Sequence, residues 1–115
     1  MLTNFEMQTE EKNEIVILRI TGELDALAAP KVKAKLIDMT DSGKKKFIID
    51  LKNVDHINSL AMGILRGRLR EVQEDSGDIK LLNLSEHLTS IFEMVGLDEI
   101  FEMFKLEQDA LDSFN

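Results

Sequence analysis

The run KFIIDL at residues 46–51 is short, apolar and almost unbroken. A strand with one wet face alternates apolar and polar side chains. A run that is apolar at successive positions needs cover on both faces, as when helices flank a parallel sheet. Two further stretches share this character: EIVILRITG at 14–22, β-branched and ended by Gly22, and IKLLNL at 79–84. Segments of helical period separate them. ELDALAAPKVKAKLIDMT (23–40) turns helical, with Pro30 suited to a first turn and Val32, Leu36 and Met39 on one face; Lys31, Lys33 and Lys35 fall largely outside. DSGKK (41–45) is a turn, and after DHINS (55–59) a helix runs to about Asp75, its apolar face made of Ala61, Ile64, Leu65, Leu69 and Val72. SEHLTSIFEMVG (85–96) reads as a helix with a serine N-cap, apolar Leu88, Ile91, Phe92 and Val95, and a terminal Gly96. TNFEMQTEE (3–11) suits a short edge strand joined through the EKN turn, EIFEMFK (99–105) a last strand, and EQDALDSF (107–114) a terminal helix. Strands alternating with helices predict one α/β domain over residues 1–115, with a mixed, mostly parallel sheet of 4–5 strands and about four helices.

Charge and composition narrow the function. Residues 1–70 carry 12 Lys/Arg against 10 Asp/Glu, and residues 71–115 carry 2 against 12. An acidic half argues against nucleic acid as the main ligand, because phosphates need cations. It serves as a solvated surface that keeps the chain soluble, or as a docking face for a basic partner. With no cysteine there is no disulfide, thiol nucleophile or thiolate metal site. The first residues, MLTNFEMQTEEKNE, lack the basic and apolar regions of a signal peptide, and no apolar run approaches a membrane span. A cytoplasmic protein is the expectation.

Catalytic motifs are missing from the sequence. It has no Walker-type glycine loop, dinucleotide fingerprint or G-x-S-x-G elbow. His56 and His87 are the only histidines, and neither has a second histidine or cysteine near it in sequence, so no metal site is expected. Asp50, His56 and Ser59 are the residue types of a nucleophilic triad, but no recognisable motif frames them. The strand-to-helix loops GELD (22–25) and DHINS (55–59) stand where ligands of parallel sheets bind. A serine opening a helix after a strand is ordinarily its N-cap. Asp25 in GELD is a turn or cap residue by its chemistry, and Arg66, Arg68 and Arg70 read as a solvated helix side.

Three local matches, ITGELD (20–25), FIIDLKNVDHINS (47–59) and IFEMVGLDEIF (91–101), together with the order of elements, resemble the STAS domain, and within it the bacterial anti-sigma factor antagonists. The resemblance covers essentially the whole chain. In that family a loop of the form Asp-Ser-Ser/Ala-Gly-Leu-Gly follows the strand, and its first serine is phosphorylated by a partner anti-sigma factor that is also a serine kinase. Here Asn58 stands at the aspartate, Ser59 at the phosphorylated serine, Leu60 at the small residue, Ala61 at the first glycine, Met62 at the leucine and Gly63 at the last glycine.

The resemblance implies a non-enzymatic binding module without a cofactor. Unmodified, it would bind an anti-sigma factor and so release a sigma factor; phosphorylated on Ser59, it would let go, and a phosphatase would reset it. ATP and Mg²⁺ would belong to the kinase. Asp25, Asn58, Ser59, Leu60, Met62 and Arg66 are the expected partner-binding residues, with Leu60 and Met62 at least partly exposed around the serine. The chain would be a monomer or a weak dimer. The alternative within the same fold is a constitutive assembly subunit, such as the partner of a lipid-transport ATPase or the scaffold of a stress complex, with no phosphate switch.

Overall fold

A computed structural model describes residues 5–115. A five-stranded sheet runs in simple sequence order, β1 (Glu6–Lys12), β2 (Ile15–Thr21), β3 (Lys46–Asn53), β4 (Asp78–Leu82) and β5 (Met103–Phe104). β1 pairs antiparallel with β2 as the expected edge strand, while β2 through β5 are parallel. The hairpin turns on Asn13 and Glu14, both at positive φ (50° and 68°), the pair of left-handed positions that a tight two-residue hairpin needs. Thr3 and Asn4 of the expected strand lie outside the described residues.

The crossovers are α1 (Ala29–Asp41), α2 (Ser59–Glu74) and α3 (Glu86–Met94), and α4 (Glu107–Asp112) closes the chain. Each crossover joins neighbouring parallel strands. Right-handed connections in an unbroken strand order put every crossover helix on the same face. One large core therefore joins Val16, Leu18, Ile20, Phe47, Ile49, Leu51, Ile79 and Leu81 of the sheet to Val32 and Leu36 of α1, Leu65, Leu69 and Val72 of α2, and Leu88 and Phe92 of α3. The opposite face holds Ile15, Ile17, Ile48 and Leu82, and among the described residues it is covered by α4, through Ala110, Leu111 and the following Phe114, with Phe104 of β5 packed beside them. The alternation along β2 (Val16, Leu18, Ile20 inward to one core; Ile15, Ile17 to the other) is the pleat of a strand buried on both sides.

A polar frame pins α4 in place. Arg19 donates to Asp50 Oδ2 at 2.9 Å and to Glu10 Oε1 at 2.7 Å, and pairs with Glu107 Oε1 at 2.8 Å. Lys12 reaches the other oxygen of Glu107 at 2.8 Å. At the far end the buried Lys80 donates to the Ser113 hydroxyl (2.7 Å) and carbonyl (3.1 Å), and lies 4.4 Å from the Phe114 ring centroid. Strand residues 19 and 80 thus reach α4 or its C-cap directly and Asp50 is joined to it through Arg19, while Lys80 also pairs with Glu102 at 3.1 Å.

Two expectations need correction. The last strand is two residues long, not seven, because Gly96 (φ +77°) stops α3 and the chain then coils into a 3-10 helix over Leu97–Glu99. The N–H groups of Ile100 and Phe101 turn back to Leu97 O, so they cannot join a ladder, and Phe101 is buried edge-on against Phe92 instead. Val95, expected on the apolar face of the helix, falls at its C-cap and is 55% exposed.

Arg19 and Lys12 hold the Glu107 carboxyl below the ordinary 4.5 of a glutamate, the Arg19 hydrogen bond being the larger cause. A carboxylate depressed in the folded state contributes stability above its unfolded pKa and loses it as pH falls through the folded value. Glu107→Gln should therefore be less stable than the parent at neutral pH, and the gap should shrink as the pH falls below the ordinary glutamate range and the parent carboxyl takes up its proton. Melting temperatures of the two proteins across that range check it.

Candidate functional site

The carboxyl ends of β2 and β3 carry the site. Their pairing does not stop with the strands: Gly22 N–H donates to Asn53 O (3.0 Å), Leu24 N–H to His56 O (2.9 Å) and Asn58 N–H to Leu24 O (3.0 Å). Leu24 and Ile57 form an isolated parallel bridge, and both side chains are buried. The GELD and DHINS loops are thus one hydrogen-bonded unit, which sets where α2 begins.

Asn58, not Ser59, caps that helix. Asn58 has extended backbone (φ −94°, ψ 172°), and its Oδ1 accepts the Ala61 N–H at 2.9 Å while its carbonyl accepts Met62 N–H at 3.1 Å. The expected serine cap is corrected by one residue. Both residue types are good caps. The bridge to Leu24 decides between them, because it holds Asn58 as the last extended residue. Ser59 becomes the first helical residue, exposed, with no part in the cap.

Leu60 beside it is 49% exposed, as expected of a contact residue. Met62 is not: it is 8% exposed and belongs to the large core. Its position explains this. Met62 lies three residues before Leu65 and seven before Leu69, on the inward stripe of α2. The expectation that Met62 is a surface contact is therefore overturned, although its edge floors a groove.

Ser59 borders two grooves. One, of about 170 Å³, is lined by Ser59, Met62, Gly63, Arg66, Val95 and Leu97. The other, of about 340 Å³, runs along Leu60, Gly63, Ile64 and Gly67 with Lys33 and Arg68 at its sides. The structure so brings together Asn58, Ser59, Leu60 and Arg66. Asp25 keeps its turn role: Oδ1 accepts from Leu27 N–H (3.0 Å) and Ala28 N–H (2.9 Å), shaping the entry to α1. Arg68 pairs weakly with Glu71 at 3.9 Å. Arg66 has no ion-pair partner among the described residues, and Arg70 is exposed. Lys33, Val95 and Leu97 were not legible as site residues. They come from α1, the C-cap of α3 and the 3-10 turn after it, and only the tertiary fold sets them around Ser59.

Asp50, His56 and Ser59 do not form a triad. Asp50 faces α4, bound to Arg19 and accepting Lys52 N–H at 3.0 Å. His56 stacks instead on His87 at the start of α3, with ring centroids 6.4 Å apart. No group of three metal-ligating side chains occurs among the described residues. The acidic tail contributes to a separate groove of about 460 Å³ between α3 and β5, where Glu93, Asp98, Glu99 and Glu102 gather. No described helix is long and apolar enough to cross a membrane.

Comparison with known proteins gives a consistent result. The profile of the STAS domain matches residues 6–110. The anti-sigma-B factor antagonist of Bacillus subtilis (strain 168) is 30% identical over 100 residues, covering 87% of this chain and 91% of that protein. The anti-sigma factor antagonist SpoIIAA, solved in its unphosphorylated form, superposes with a TM-score of 0.83 at 29% identity, over 95% of this chain and 96% of that one. SpoIIAA of Bacillus in its phosphorylated form superposes at 0.76, with 28% identity over 96% of this chain and all of that one.

The capping assignment makes a stability prediction. Asn58→Ala should cost about 1 kcal/mol through loss of the cap, and Ser59→Ala should stay within about 0.5 kcal/mol of the parent. On the neighbouring positions Leu60→Glu should be equally mild, while Met62→Glu, placing a charge in the core, should cost at least about 2 kcal/mol. Urea unfolding of the four variants measures all of these.

Proposed function

The chain belongs to the STAS domain family, with anti-sigma factor antagonists among its relatives, and from that premise we propose that it binds an anti-sigma factor when unmodified and is released when Ser59 is phosphorylated. The observation that carries this reading is the freed serine hydroxyl: Asn58 takes the cap, and Ser59 stands exposed at the head of α2 between two grooves. A relative of the same fold is described in both phosphorylation states, which supports reading this position as the switch.

The physical chemistry suits a switch. A phosphate on the first residue of a helix meets unpaired N–H groups and the positive end of the helix dipole, so the modified domain stays folded. The same group brings roughly −1.5 to −2 charges to a surface that otherwise offers Leu60 as an apolar contact. A partner seated dry over Ser59 is expelled by that charge. The domain itself performs no chemistry in this scheme. The anti-sigma factor is the kinase and supplies ATP and Mg²⁺, a phosphatase restores the hydroxyl, and the exchange takes place in the cytoplasm.

A constitutive assembly subunit remains the second reading. What favours it is the loop itself, where Leu60 is large and exposed and Met62 is turned into the core. Capture of an ABC ATPase rather than a kinase in a pull-down would select it.

Incubation with the cognate kinase and ATP should add one phosphate, and Ser59→Ala should abolish it. Mass spectrometry places the group. Phosphate found on Ser42 or Ser85 contradicts the assignment.

A further inference from the structure

Arg66 is a cation of the Ser59 surface that neither the core nor an ion pair explains, and it is the cation that shares both α2 and the smaller groove with the serine. It is exposed, and among the described residues it has no carboxylate within salt-bridge distance, while Arg19 and Arg68 both have partners. It shares one groove with Ser59. Seven residues along an α-helix are two turns less about 20°, so Arg66 stands on the same face as Ser59, about 10 Å further along the axis. Helical side chains lean toward the helix N-terminus. The guanidinium at the end of its long stem therefore leans back toward the serine.

What lies between them is a glycine. Gly63 is one turn from Ser59 and lines the same groove, and a Cβ built on it would meet nothing within 4 Å. Neither its backbone angle nor close packing requires glycine there. In a helix interior glycine is a poorer helix former than alanine. Its effect is to keep the path from Arg66 to Ser59 open. Val95 and Leu97 wall the groove on the α3 side. No carboxylate lines this groove or its neighbour.

We infer that Arg66 is the internal receptor for a phosphate on Ser59, folding back along the groove over Gly63 to form a charge-assisted, forked contact with the phosphate oxygens. This deepens the proposed function and rests on its reading of Ser59 as the acceptor. It gives Arg66 two uses. In the unmodified domain its charge is available to an acidic group on the partner. In the phosphorylated domain that charge is withdrawn into the groove. Modification so adds an anion and removes a cation from the same contact surface. Arginine suits this role better than lysine, because its planar fork matches two phosphate oxygens at once.

The test uses protein carrying phosphoserine placed at position 59 by genetic encoding, so its answer does not depend on whether a kinase uses that serine. The phosphate's second ionisation is followed by phosphorus NMR as a function of pH. The charges facing it are Arg66 in one groove and Lys33 and Arg68 in the other. Pairing with Arg66 favours the dianion, so in the parent the transition should lie roughly half a pH unit below that of Arg66→Gln. Arg66→Lys should restore part of the difference, and Lys33→Gln should move the transition less than Arg66→Gln does. Superimposable curves for the parent and Arg66→Gln overturn the inference, as does a larger effect from Lys33→Gln. Failure of the kinase to modify Ser59 would instead count against the proposed function and leave the titration result standing.

Discussion

The site depends on the parallel pairing of β2 with β3 and its continuation past the sheet through Leu24 and Ile57. Three backbone hydrogen bonds, from Gly22, Leu24 and Asn58, carry it into the loops. They leave Asn58 as the last extended residue, so the helix must begin at Ser59. Were that junction shifted by one residue, Ser59 would become the cap, its hydroxyl would be engaged by a backbone N–H, and the surface serine would be gone. Local capping chemistry allows either arrangement; the tertiary contact selects one.

The division of labour between the two faces of the sheet follows from topology. Sequential parallel strands with right-handed crossovers load α1, α2 and α3 onto one face, and that face becomes the main core. The other face is left to α4, six residues long. So short a helix covers little apolar area, and it is tied down by Arg19 and Lys12 at its N-terminal end and by Lys80 near Ser113. Charged groups sit inside otherwise apolar strands for this reason. The Ser59 surface lies at the carboxyl end of the parallel strands, where loops can vary without disturbing either core.

Much of this was legible in the sequence, and the misses have physical causes. Strands at 15–21, 46–53 and 78–82 announced themselves because burial on both faces leaves apolar residues at successive positions. The helices followed from their apolar stripes. Met62's place in the loop match suggests a surface contact, but its spacing from Leu65 and Leu69 marks it as core. The last strand was overlong because EIFEMF is apolar enough for a strand, and only the left-handed Gly96 and the turn after it show that Phe101 belongs to α3's core. Ser59 and Leu60 are readable from their places in the loop match, and Arg66 from its place on the helix that follows. Lys33, Val95 and Leu97 were not, since nothing in a linear chain reveals which separate elements meet at a groove.

The proposed switch would work by the asymmetry between fold and interface. The head of α2 tolerates an anion, whereas a dry contact over Leu60 does not, because burying an uncompensated charge costs several kcal/mol. The most direct measurement is the affinity of the anti-sigma factor for the unmodified domain and for the same domain carrying phosphoserine at position 59, determined side by side by calorimetry at one salt concentration. The account predicts a loss of at least about 100-fold on phosphorylation, which corresponds to roughly 2.7 kcal/mol. Equal affinities for the two forms would contradict it.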